Sequence, residues 1–86
     1  MELYTYIFVN SEKEKIGKVR KLSTVKLTEA NFLFINGELY LIMRIYITQR
    51  YFVANDLHHN CLVFVEKKEI RETRQEYLDL FKKLDD

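Results

Sequence analysis

Proline and tryptophan are absent from this 86-residue chain, glycine occurs only at positions 17 and 37, and cysteine only at position 61. Each scarcity removes something. Without proline every strand keeps its ladder donors, but one device for blunting sheet edges is also missing. Two isolated glycines cannot build a glycine-rich phosphate loop. A single cysteine allows no intramolecular disulfide, which suits a reducing compartment, and the cytoplasm is the expected location. The longest apolar run, residues 39–47, is broken by Arg44 and falls well short of the ~20 residues of a membrane helix. Residues 1–9 are apolar, but no basic residue precedes them and no small-residue cleavage pattern follows, which argues against a signal peptide. Charge of either sign is not in excess: 14 Lys and Arg face 13 Asp and Glu. A net charge of +1 creates no global field for nucleic acid or an anionic membrane, so any electrostatic partner must be read by a local patch.

What is present is a globular composition, 48% hydrophobic and 31% charged, at a length that fits one domain (1–86) with one modest core. The sharpest local signal is Asn36-Gly37 between two stretches of strand formers. A type I′ turn needs positive φ at both central residues, and Asn-Gly tolerates this best, so a β-hairpin is predicted there. Residues 1–9 alternate and are apolar on both faces, which reads as a strand covered on most of both sides. Ser11 to Glu14 has capping-box spacing, yet Gly17 interrupts any helix that follows. A loop or one helical turn is expected instead, then a strand from about 19 to 27 and a turn at 28–31, making a three-stranded meander with the hairpin. On the fourth strand, Leu39, Leu41, Met43, Ile45 and Ile47 read as the core face, and Tyr40, Ile42, Arg44, Tyr46 and Thr48 as a mixed, partly exposed one. A second hairpin of 51–54 with 61–65 is expected, its tip near 55–60.

From Glu66 the apolar period lengthens to about 3.5, with Ile70, Tyr77, Leu80, Phe81 and Leu84 on one stripe. The expected fold class is therefore α+β: a small curled antiparallel sheet or partly open barrel of about five strands over 1–66, with an amphipathic helix over 67–84. Between 24 and 65, the extended segment, short turn, Asn-Gly-x-x-Tyr hairpin and returning strand resemble the small SH3-like barrels common in phage and mobile-element accessory proteins. The resemblance rests on that one turn motif and assigns no family.

Candidate chemistry is sparse. Asp56, His58, His59 and Cys61 lie within six positions, but neighbours on an extended chain face opposite ways, so His58 and His59 cannot easily share an ion. No metal and no cofactor is expected. His59 and Cys61 share a strand face ~6.6 Å apart, which is unfavourable for a Cys-His nucleophile. The β region contains no paired carboxylates, so no catalytic residue is assigned and an enzyme is not expected. Two surfaces remain. Tyr77, Leu80, Phe81 and Leu84 could exceed what a small barrel end can cover and bind a protein partner or a second copy. Lys18, Arg20 and Lys21, with Tyr40, Arg44, Tyr46, Arg50 and Tyr51, could hold single-stranded RNA or DNA by phosphate contact and base stacking. The leading expectation is a non-enzymatic protein-binding module, with a phage or mobile-element accessory or inhibitor role as its concrete form. The alternative is a single-strand binder.

Overall fold

The computed structural model describes residues 1–69. Five strands follow in chain order: β1 (Glu2–Val9), β2 (Lys15–Ser23), β3 (Phe32–Ile35), β4 (Glu38–Val53) and β5 (Asp56–Lys68). They form one sheet in the order β2-β1-β5-β4-β3, curled into a half-barrel. All neighbours are antiparallel except β1 and β5, which run parallel from Glu2 opposite Leu57 to Val9 opposite Phe64. The sheet is therefore mixed rather than antiparallel. The expected meander of three strands is also absent, because β2 pairs with β1 and lies at the opposite edge from β3.

The hairpin predicted at Asn36-Gly37 is present. Ile35 opposes Glu38 across a two-residue turn, and φ is 52° at Asn36 and 79° at Gly37, as a type I′ turn requires. The second hairpin turns earlier than expected, at Ala54 and Asn55, so residues 56–60 belong to β5 instead of a loop. The fourth strand and the first arm of the second hairpin are one strand, continuous through Gln49 and Arg50. β4 runs unbroken for 16 residues and absorbs its irregularity as bulges between Ile42 and Arg44 and between Ile47 and Gln49.

The bulges correct the expected core face of β4. Tyr40 and Ile42 oppose Lys67 and Val65 and turn inward, whereas Leu39 and Leu41 turn to the convex side. Past the extra residue at Met43, the alternation reverses, and Ile45 and Ile47 oppose Val63 and Cys61 on the inner face. A strict period-2 reading cannot anticipate this, since one inserted residue flips every side chain beyond it. The core is formed by Tyr4, Tyr6, Phe8, Ile35, Tyr40, Ile42, Cys61, Val63 and Val65.

The segment before residue 24 is strand from Lys15 onward, beginning four residues earlier than predicted and ending at Ser23. Asn10 replaces the capping box with a turn: its Oδ1 accepts from the backbone N–H of Glu12 at 3.0 Å and of Glu14 at 2.9 Å. Two register shifts against β1 bend β2 strongly. The bend carries β2 round to β3, where the Arg20 guanidinium donates to the Phe34 carbonyl at 3.2 Å. Residues 24–31 cross the gap between these edges. The Tyr6 hydroxyl fastens them by donating to the Val25 carbonyl at 2.7 Å and accepting from Leu27 N–H at 2.9 Å.

The described residues contain no helix, and the α+β expectation is corrected to all-β. The first two residues assigned to the helix, Lys67 and Lys68, end β5 opposite Tyr40 and Leu39. Lys67 Nζ lies 3.1 Å from Glu38 Oε1, and with the Tyr40 hydroxyl this holds the Glu38 carboxyl below its ordinary range. Cross-strand pairing thus overrides the helical preference of Glu-Lys-Lys. The remainder of the predicted helix, with Ile70, Tyr77, Leu80, Phe81 and Leu84, lies outside the described residues. No helix among the described residues is long and apolar enough to cross a membrane.

Candidate functional site

Inside the curl, β1 and β5 build a row of rings. His59 stacks on Tyr4 at 4.7 Å, Tyr4 on Tyr6 at 5.8 Å and Tyr6 on Phe8 at 6.2 Å, and the Arg20 guanidinium covers Phe8 at 5.4 Å. Period 2 places the rings on one face and the barrel closes over them. His59 is 5% exposed; its Nε2 lies 3.4 Å from Glu2 Oε1, and its Nδ1 has no hydrogen-bond partner. Cys61, two residues along, is buried with its Sγ 4.0 Å from the His59 carbonyl. Burial pushes its thiol pKa up, partly opposed by Arg50. A thiol held protonated and closed off from solvent is a packing group rather than a nucleophile.

The cluster of Asp56, His58, His59 and Cys61 is drawn out along β5. His59 and Cys61 oppose Arg50 and Ile47 on the inner face, while Asp56 and His58 oppose Val53 and Tyr51 on the convex one. Among the described residues no three His, Cys, Asp or Glu side chains are placed to share an ion. His58 instead stacks with Tyr51 at 5.1 Å.

The convex face differs in kind. Ile7, Phe32, Phe34, Met43 and Tyr46 all stand exposed on it or at its bulge, each between 38% and 57% accessible. Registers relate them across the strands: Ile7 and Tyr46 both oppose Leu62, Arg44 opposes Phe64, and Phe32 and Phe34 oppose Leu41 and the buried Leu39. Tyr46 meets Phe64 edge to face at 5.6 Å. Around that pair runs an open groove of about 510 Å³ lined by Ser11, Met43, Arg44, Tyr46, Phe64, Val65 and Glu66. A second depression, lined in part by Ile7, Val19, Lys21, Thr48 and Leu62, carries the apolar surface across β1 to β2.

The eight residues of the single-strand site do not share one surface. Tyr40 is buried with its hydroxyl on Glu38, Arg20 is engaged by Phe8 and the Phe34 carbonyl, and Arg50 opposes His59 on the inner face. Lys21, Arg44, Tyr46 and Tyr51 are convex, and Lys18 is exposed at the bend of β2. Tyr77, Leu80, Phe81 and Leu84 lie outside the described residues. Sequence reasoning passed over Ile7, Phe32, Phe34 and Met43 as ordinary strand residues. The available signal was that β1 and β3 are apolar at consecutive positions, so one face of each cannot belong to the barrel core.

No protein-family model, curated protein or solved structure matches this chain.

Proposed function

We propose that this is a non-enzymatic protein-binding module whose convex sheet face is the recognition surface. The observation that carries the reading is the exposure of Ile7, Phe32, Phe34, Met43 and Tyr46 on a sheet whose core is built on the other face. A two-layer domain needs only one apolar face, and a second one left accessible fits burial against another protein. Arg44 and Glu66 on the groove rim supply one charge of each sign, which suits a protein partner better than a polyanion. The concave side supports the reading differently: among the described residues its His59, Tyr4, Tyr6, Tyr40 and Cys61 are buried, stacked or hydrogen-bonded rather than turned to an open cleft.

Phe34→Asp is the direct test, because Phe34 is 57% exposed and its replacement leaves the core intact. The variant is expected to fold, by circular dichroism, and to lose the partner that wild-type protein captures from its host. If the nucleic acid reading were correct, Phe34→Asp would be nearly silent. Lys21→Glu with Arg44→Glu would then weaken a strongly salt-dependent affinity for a short single strand.

A further inference from the structure

We propose that the protein forms a two-fold dimer through the outer edge of β4, with Tyr46 of one protomer opposite Tyr51 of its partner. The edge is defined by what stops short of it. β3 pairs with β4 only from Glu38 to Leu41, and residues 30 and 31 take the backbone groups of Ile42. The Ile45 N–H is held at 3.1 Å by the exposed carboxylate of Glu29, a contact it would exchange on association. From Tyr46 to Val53, β4 has no backbone partner on that side among the described residues. These eight positions include Tyr46, Ile47, Tyr51, Phe52 and Val53, all exposed, with Phe52 at 71%. Arg50 is the only charge and no proline interrupts them, so two of the usual protections of an open edge are nearly absent.

The bulge at Thr48 makes this edge self-complementary. Before it, Arg44 and Tyr46 face the convex side and Ile45 and Ile47 the inner side, as their partners on β5 show. After it, Gln49, Tyr51 and Val53 are convex and Arg50 and Phe52 face inward. Antiparallel pairing of β4 with itself about a point between Thr48 and Gln49 matches faces throughout: Tyr46 with Tyr51, Ile47 with Arg50, Ile45 with Phe52 and Arg44 with Val53. A slip of one residue sets Tyr46 against Arg50, convex against inner. A slip of two sets Gln49 against Arg50 with the same conflict, or in the other direction drives Val53 against Ile42, whose backbone is already bonded. One register survives. It supplies up to about eight backbone hydrogen bonds: the outward Ile45 N–H marks 45 with 52 and 47 with 50 as the bonded pairs, each present twice and exchanging two.

This proposal stands apart from the convex-face reading, and its disrupting substitutions, at Ile47 and Phe52, fall on the inner face instead. Sedimentation of the wild-type chain should give a dimer. Ile47→Lys with Phe52→Lys, at positions 45% and 71% exposed, should give a folded monomer by circular dichroism. The register is read by oxidation: Tyr46→Cys alone and Tyr51→Cys alone should each remain uncrosslinked, while a mixture of the two should give a disulfide-linked pair. Opposed Cβ atoms lie ~4.5–5.5 Å apart, close to disulfide reach, whereas two copies of position 46 would stand ~17 Å apart. The native Cys61 is buried and does not compete. A wild-type chain that stays monomeric at the highest concentration it tolerates overturns the proposal and leaves the convex-face reading standing. Crosslinking of either single variant alone, or none in the mixture, overturns the register.

Discussion

Replacing Gly17 by alanine tests how the half-barrel is held shut. Gly17 has φ of +66°, and a Cβ built there would meet Ile35 Cγ2 at 2.6 Å. Two costs then add. An L-residue in the left-handed region costs ~1–2 kcal/mol, partly offset by ~0.4–1 kcal/mol from the stiffer unfolded chain. The contact adds ~1–3 kcal/mol of overpacking, because Ile35 is 6% exposed and has no open space to turn into. Gly37 provides the control: its φ is +79°, but nothing lies within 4 Å of its Cβ position, so Gly37→Ala carries only the backbone cost, about 1 kcal/mol. Urea denaturation should therefore place Gly17→Ala ~2–4 kcal/mol below wild type and clearly below Gly37→Ala. Ile35→Leu removes the offending methyl at constant volume. In that background the Gly17→Ala cost should fall toward that of Gly37→Ala, a coupling above ~0.5 kcal/mol. Equal costs at the two glycines, or no coupling to Ile35, would refute the close approach of β2 to β3.

Three further outcomes follow from the same geometry. Tyr6→Phe removes the hydroxyl that clamps Val25 and Leu27 and should cost ~1–3 kcal/mol in denaturation, with faster proteolytic nicking of the 24–31 segment; unchanged stability and nicking would mean the segment is not fastened there. Ala54 has φ of 54° at the tip of the β4–β5 hairpin, so Ala54→Gly should stabilise the domain by up to ~1 kcal/mol, and a lower midpoint would contradict the turn geometry. Burial raises the pKa of Tyr4, Tyr6 and Tyr40 above 10.0 and of Cys61 above 9.0. The folded state holds these protons more tightly, so stability should be full below about pH 9 and fall as pH rises through the raised values; a flat profile to pH 11 would contradict the buried ring row.

The parts of the fold written in local sequence were legible, and those decided by long-range pairing were not. Asn36-Gly37 announces its turn because the required φ is a property of those two residues. The first strand is equally plain from its alternation. The parallel joining of β1 to β5 leaves no local mark, since it follows from which apolar faces find each other across more than fifty residues. The β4 bulges are silent too: Met43 and Thr48 are unremarkable residue types, yet each reverses the alternation. Helical propensity at Glu66–Lys68 misled because Leu39, Tyr40 and Leu41 offered it a strand to complete. For the candidate surface, Arg44 and Tyr46 were visible as an arginine and a tyrosine on a strand. Phe32, Phe34 and Ile7 were hidden by the assumption that a large apolar side chain belongs to the core.

Binding of a protein partner by the convex face, the function proposed for it, can be tested in the cell. A photoreactive phenylalanine analogue placed at Phe34 or Met43 and activated in the native host should crosslink to a discrete protein. The same group at Leu22 near the end of β2 or Val25 on the connecting segment, 57% and 62% exposed, should not. Equal crosslinking at all four positions, or adducts only with nucleic acid, would contradict the claim.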